Sequence, residues 1–394
     1  MTRTRALFDL PDGVTYLDGN SLGPLPKAAR DRVARTVTDE WGTQLIGGWN
    51  EVGWMDQPAR LGDRIAPLIG AATGSVVVGE TLSIRMFQCL AAALSLRPDR
   101  HMILSDTGNF PSDLYVAQGL ISTLGQPHSL CTVAPQDVEA ALGPHVAVLM
   151  LTEVDYRTGR RHDMARLTRA AHDAGAVVIW DLAHSTGAVP VDLTACGAEF
   201  AAGCTYKYLN GGPGAPAFLY ARPDVSGDIA PVLAGWLGHA APFAFDPAFA
   251  PAPGVARFRV GTPPVLQMAA LEAALDVFDT VDISDLHARA CALADRLAAG
   301  FQRACPDLRR LTPRAPEARG SQISFTHPDG YALVQALISQ GVIGDFRAPD
   351  ILRFGIAPLY NTQADIDTAI EAFAHIIANR LWDDPAYRRR KAVT

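Results

Sequence analysis

Two residues in this chain have the types and spacing for covalent carbonyl chemistry. Asp181 ends the apolar run Ala176-Val177-Val178-Ile179-Trp180, so it is expected at the carboxyl end of a buried strand, with His184 three residues on. A carboxylate there is costly unless a cation or strong donors meet it; a helix N-cap or a loop ion pair is the plainer alternative. Lys207 follows in Gly203-Cys204-Thr205-Tyr206-Lys207-Tyr208-Leu209-Asn210-Gly211-Gly212-Pro213-Gly214. The chain has only three lysines, Lys27, Lys207 and Lys391, and this one is set among aromatics and glycines. An amine so placed is a candidate nucleophile towards a carbonyl. The glycines would let backbone approach a bulky ligand, or make only a tight turn.

Together the pair meets the demands of a pyridoxal 5'-phosphate site: an amine to hold the aldehyde and a carboxylate to keep the pyridine nitrogen protonated. Phe110, in Asn109-Phe110-Pro111-Ser112-Asp113, can supply a stacking face. Leu82 and Ser83, at the start of a helix expected from Ile84 to Leu96, can supply phosphate donors. Thr152, after the apolar run Val146 to Leu151, adds a hydroxyl. These features converge on the carboxyl ends of one sheet, where open α/β folds bind ligands.

The elements that must position them are readable. From about Thr73 to Tyr220, apolar bursts (76–78, 102–104, 146–151, 176–180, 217–220) alternate with helical patterns (84–96, 113–124, 163–174). Uniformly apolar bursts indicate strands covered on both faces, hence an α/β domain with a mostly parallel central sheet. Before it, Lys27 to Glu40 reads as a surface helix. After it, 223–264 is rich in Pro, Gly and aromatics without a period, a texture that marks a functional or interface segment. Helices follow over 265–281 and 286–304, and 322–325, 332–340, 351–356 and 363–381 read as a smaller α+β unit. The expected division is therefore 1–50, a segment packing on the small unit; 51–264, the large α/β domain; and 265–394, the small C-terminal domain.

Composition narrows the function. With 34 Lys+Arg against 41 Asp+Glu the net charge is −7, and no basic stripe suggests a nucleic-acid partner. The basic runs, Arg3 with Arg5 and Arg388, Arg389, Arg390 and Lys391, read as solvated tails. No apolar stretch approaches the roughly 20 residues of a membrane span, and the first residues lack the apolar core of a signal peptide. Six scattered cysteines without a CxxC pair fit a reduced, cytoplasmic compartment. Phosphate-loop, dinucleotide, zinc-hydrolase and serine-hydrolase motifs are all missing. His162 and His172, flanking one helix, read as solvated rather than metal-binding.

Seven blocks carry a family resemblance: Tyr16-Leu17-Asp18-Gly19-Asn20-Ser21-Leu22-Gly23-Pro24, 109–113, 180–185, 205–214, Gly235-Trp236, Gly261-Thr262-Pro263-Pro264 and 352–361, which ends Pro358-Leu359-Tyr360-Asn361. The chain resembles fold-type I pyridoxal-phosphate enzymes, and among them the kynureninases. The Asp-x-x-His and Tyr-Lys elements are shared with the wider fold, whereas the opening and closing blocks point to that family.

The resemblance implies hydrolysis of L-kynurenine to anthranilate and L-alanine in tryptophan degradation. It implies Lys207 as the Schiff-base lysine and base, Asp181 on the pyridinium nitrogen, His184 beside the ring and Phe110 stacked on it. Pro111, Ser112 and Asp113 complete that cofactor loop. Leu82, Ser83 and Tyr206 would hold the phosphate from one subunit, while Trp236 and Thr262 would reach it from the partner of a homodimer. Tyr206 would relay a proton and Arg353 would clamp the substrate carboxylate, with Asn20 also at the substrate. Trp49 would wall the aryl pocket, or be a core or interface tryptophan. Animal relatives have asparagine at the position of Thr262 and histidine at that of Trp49; the closer likeness to bacterial members favours plain kynurenine over its 3-hydroxy derivative. Arg85 stands where an amide is expected, and the sequence offers no account of it.

Two other readings compete. A cysteine desulfurase on the same fold would need a mobile cysteine in the small domain, but Cys291 and Cys305 fall on apolar helix faces and suit inert thiols. A non-enzymatic cofactor-binding protein should have lost Lys207 or Asp181, and neither is lost.

Overall fold

The computed structural model describes residues 2–124, 127–227 and 229–390. The apolar bursts build a seven-stranded sheet, in spatial order Val76–Val78, Phe218–Ala221, Phe200–Gly203, Val177–Asp181, Val146–Thr152, Met102–Asp106 and Ser129–Val133. The last five run parallel, and Phe218–Ala221 is antiparallel to both neighbours. Every residue of Val146–Thr152 and Val177–Asp181 is buried, because apolar clusters cover both sheet faces.

The helices sit close to where their start and stop residues put them. Thr81 caps Leu82–Ser95, and Pro111 opens Pro111–Leu124, where its missing N–H costs nothing. Asp163 caps Met164–Asp173, and Gly175 leaves it at φ +78. The expected Lys27 to Glu40 helix is shorter, Lys27–Arg35, and then widens into a π-turn, Thr36–Trp41.

The smaller unit is an antiparallel sheet in the order Arg309–Arg310, Gln322–Thr326, Ile351–Gly355, Asp345–Arg347. Helices Ile283–Ala304, Gly330–Ser339 and Gln363–Ala378 accompany it around Phe301, Phe325, Phe354 and Phe373. Helix Val265–Leu275, by contrast, packs on Lys27–Arg35 and gives Met268, Leu271 and Leu275 to the large sheet's cluster. We therefore propose that the large domain continues through Val265–Leu275 and the small one begins with Ile283–Ala304. The opening segment touches both: Phe8 joins the large cluster, Leu17 joins the small one, and Thr15–Tyr16 pairs parallel with Val342–Ile343.

Two expectations are corrected. The basic ends are docked: Arg5 pairs with Asp365 at 2.7 Å, Arg388 with Asp329 and Asp383, and Arg390 lies over Tyr331 and Phe346. Lys391 lies outside the described residues. His162 is buried against Asp106 at 2.6 Å, and His172 pairs with Glu199 at 2.9 Å; each finds a carboxylate that the local sequence does not reveal.

Candidate active site

Loops leaving four adjacent parallel strands meet at one place. Met102–Asp106 delivers Asn109, Phe110 and Asp113; Val146–Thr152 ends in Thr152 and leads to Tyr156. Val177–Asp181 ends in Asp181 ahead of His184, and Phe200–Gly203 leads into Tyr206 and Lys207. Lys207 Nζ lies 2.9 Å from His184 Nε2, 5.9 Å from the Phe110 ring centre and 5.7 Å from that of Tyr206. Burial, reinforced by the Lys207 charge, holds the His184 pKa well below its ordinary value, so the imidazole is neutral and Nε2 accepts from the ammonium.

Asp181 is fixed from two sides. Oδ1 accepts the Ala183 N–H at 2.8 Å, and the Thr152 hydroxyl stands 3.1 Å from Oδ2. That hydroxyl also lies 2.5 Å from Asn109 Oδ1, which accepts the Phe110 N–H at 2.7 Å, while Asn109 Nδ2 donates to Ser105 Oγ at 2.9 Å. Asn109 thus ties the Phe110 backbone, through Thr152, to Asp181. Burial pushes the Asp181 carboxyl up, against the pull of Lys207, and raises Asp113 well above the usual range, with Asp181 adding to that rise.

At the other end of Phe110, Ser83 Oγ and Ser112 Oγ are 2.9 Å apart. They sit at the starts of Leu82–Ser95 and Pro111–Leu124, so two sets of unpaired N–H groups converge there, an arrangement suited to a phosphate.

The small unit closes the third side. Arg353 is buried; it donates through Nη1 to the Tyr156 carbonyl at 2.7 Å and through Nη2 to Ser21 Oγ at 2.8 Å, and is ion-paired with Asp345. Asp345 also holds Arg347 at 2.9 Å. Asn20 is fully buried beside Gly355, with Nδ2 3.4 Å from Gln322 Oε1. Tyr156 stands edge-on to Phe110 at 5.0 Å.

Asn109, Tyr156, Gln322 and Asp345 were not singled out by sequence. The alternation Asp345-Phe346-Arg347 eight residues before Arg353 was the available signal for Asp345. Tyr156 acts largely through its carbonyl, which no side-chain pattern reports. Trp49, Trp236 and Thr262 are not joined to this cluster by a described contact. Trp49 packs edge-on against Trp54 at 5.6 Å, and no described hydrogen bond, ion pair or ring contact joins any of the three to Lys207. Trp236 and Thr262 share one exposed face, because Leu237 N–H donates to the Val260 carbonyl and Gly235 lies against Val260.

The residues fit pyridoxal phosphate on structural grounds. Two buried carboxylates, Asp181 and Asp113, face one lysine. Asp113 Oδ2, Asn20 Oδ1 and Arg353 Nε are buried without hydrogen-bond partners among the described residues. A group bringing a ring N–H, a phosphate and a linked carboxylate meets these demands together.

Solved structures share this architecture. The cysteine desulfurase of Thermococcus onnurineus NA1 aligns with TM-score 0.80 at 18% identity, over 96% of this chain and 98% of that one. The cystine C–S lyase C-DES, in complex with cysteine persulfide, aligns with TM-score 0.79 at 21% identity, over 92% and 98%. The fold is that of the fold-type I pyridoxal-phosphate enzymes. The kynureninase of Burkholderia pseudomallei (strain 1106a) is 49% identical over 397 residues, spanning 99% of this chain and 95% of that one. That of Pseudomonas fluorescens is 46% identical over the same shares. The kynureninase C-terminal domain matches residues 286–373. The chain belongs to the kynureninase family.

Proposed function

We propose that this chain hydrolyses the Cβ–Cγ bond of L-kynurenine to anthranilate and L-alanine, in tryptophan degradation. The observation that carries the reading is the Lys207–His184 contact beside buried Asp181, within a chain 49% identical to a kynureninase along nearly its whole length. Pyridoxal 5'-phosphate, when bound, supplies the electron sink. Lys207 would anchor it between turnovers and take the substrate's α-proton, with neutral His184 orienting the amine. Asp181, braced by Thr152 and the Ala183 N–H, would hold the ring N–H; Phe110, with Pro111 beside it, would supply the stacking face. Ser83, Ser112 and the helix start at Leu82 would hold the phosphate.

Arg353 takes the substrate carboxylate through its free Nε edge, with Asn20 alongside. Burial keeps the Tyr206 phenol protonated through the neutral range, so it has a proton to give. Water adds to the γ-carbonyl, the Cβ–Cγ electron pair goes to Cβ, and protonation of Cβ with return of the α-proton from Lys207 completes alanine while the aryl acid leaves.

The functional unit we propose is a homodimer. Trp236 (42% exposed) and Thr262 are exposed, and so are Val232, Phe243, Phe245 and Phe249, as befits residues that complete a neighbour's phosphate site. Trp49 is assigned to the aryl pocket of that assembly, with plain kynurenine as the preferred substrate. A reducing cytoplasm is the proposed location, supported by six free thiols.

A desulfurase reading needs a mobile, reactive cysteine in the small unit, and burial pushes both thiols there, Cys291 and Cys305, up and away from the thiolate. The test is borohydride trapping of the cofactor followed by assay for anthranilate. A trapped cofactor on Lys207 with anthranilate released supports the proposal; a trapped cofactor without anthranilate overturns the reaction.

A further inference from the structure

Arg85 sits in the first turn of Leu82–Ser95, 1% exposed. Its Nε donates to the Gly79 carbonyl at 2.8 Å, and Nη1 donates to the Phe258 carbonyl at 2.9 Å and to Gln88 Oε1 at 2.8 Å. All three acceptors are neutral. Among the described residues no carboxylate forms an ion pair with it, and Nη2 hydrogen-bonds to nothing. Glu80 attracts it only from beyond ion-pair distance, and Arg259 adds a second positive charge. Burial draws its pKa down to about 10, so it stays protonated at neutral pH.

A full charge removed from water without an anion is strongly unfavourable. The first turn of a helix makes this worse, because its unpaired N–H groups already present positive potential. Both difficulties disappear if an anion occupies that helix start. Ser83, two residues before Arg85, lies there with Ser112.

We infer that Arg85 is the buried counter-charge for the cofactor's phosphate, a positioning residue that acts from behind the first turn of Leu82–Ser95. The inference rests on the phosphate placement proposed above. The same guanidinium, through Phe258, ties that helix to the segment leading to Thr262, so one side chain links the subunit's own phosphate site to the face offered to its neighbour.

The experiment compares pyridoxal phosphate with pyridoxal, which lacks the phosphate, as ligands of the full-length apoenzyme. Affinities come from absorbance titration, and the thermal midpoint of the apoenzyme is read alongside. Arg85→Gln should lose affinity for pyridoxal phosphate about tenfold or more while keeping that for pyridoxal within about twofold. Its apo midpoint should be unchanged or higher, because an uncompensated charge is gone. Arg85→Lys, which keeps the charge, should retain the wild-type ratio of the two affinities. Arg85→Met, neutral and of similar bulk, gives the same comparison if the glutamine variant does not fold. An equal loss for both ligands in the neutral variant, or no loss for either, overturns the inference and leaves Arg85 a structural tie. A wild-type chain that binds neither ligand overturns the cofactor placement instead.

Discussion

The ammonium of Lys207 lies 2.9 Å from Nε2 of His184, and that imidazole is neutral because burial and the lysine's own charge keep it so. A neutral ring can accept from the amine without competing for its proton. On the proposed mechanism His184 would aim the lysine rather than act as a second base.

Removing either partner should separate these roles. Lys207→Ala is expected to abolish borohydride-stable attachment of the cofactor and to lower kcat at least about a thousandfold. His184→Gln, which can still accept from the amine, should keep attachment and lose far less. Trapping with mass spectrometry, read beside kcat, checks both.

Asp181→Asn should lower kcat by roughly a hundredfold to a thousandfold, because a neutral amide no longer favours a protonated ring nitrogen. Asn109→Ala should give a smaller loss, since it acts through Thr152 and the Phe110 backbone. The shift of the cofactor's absorbance band measures the first effect directly, and equal losses in the two variants would contradict this order.

Arg353 and Asp345 should behave differently from one another. Arg353→Lys keeps a cation but not the fork, so KM for kynurenine should rise about a hundredfold with kcat less affected. Asp345→Ala leaves the buried Arg353 without its carboxylate, and the half-buried Arg347 without one too, and should cost about 3 kcal/mol of stability as well as raising KM. Steady-state kinetics and denaturant unfolding distinguish the pair.

Asp18 gives a pH dependence. Burial, with Asp345 adding repulsion, raises its pKa from the ordinary 3.8 to about 7. Between these values the native state binds more protons than the unfolded chain, so this group's contribution to stability falls as pH rises from about 4 to about 7. At about 1.4 kcal/mol per pH unit the change amounts to a few kcal/mol. Asp18→Asn should flatten that part of the profile, as measured by urea unfolding of the apoenzyme across the range.

Trp236→Ala should weaken cofactor retention without unfolding the subunit. A mixture of Trp236→Ala and Lys207→Ala chains, unfolded and refolded together, should show more activity at limiting pyridoxal phosphate than either chain alone, because one site in each mixed dimer then has an intact lysine and an intact neighbouring tryptophan. No recovery on mixing would mean that each subunit builds its site alone.

Much of this architecture is legible in the sequence because buried parallel strands are written as continuous apolar runs. Ser129–Val133 escapes that signal as an edge strand carrying Ser, Cys and Thr, and Phe200–Gly203 escapes it because Ala-Ala-Gly is small without being strongly apolar. The lysine, the acid and the stacking phenylalanine are legible because each closes or follows a strand. The Asn109–Thr152–Asp181 chain and the Asp345–Arg353 pair are not, since each depends on which loops are neighbours in space. The docked basic end escapes for the same reason.

The clamp at Arg353 has a temporal consequence. Ser21 meets Asp345 across 324 residues and Arg353 across 332, so this corner of the site joins the opening segment to strands near the other end of the chain. During synthesis the large sheet and Lys207 leave the ribosome well before Arg353 does. On the proposed roles, a nascent chain thus has its covalent anchor before its carboxylate clamp, and a product stopped short of residue 345 would carry the lysine without the arginine that takes the substrate carboxylate.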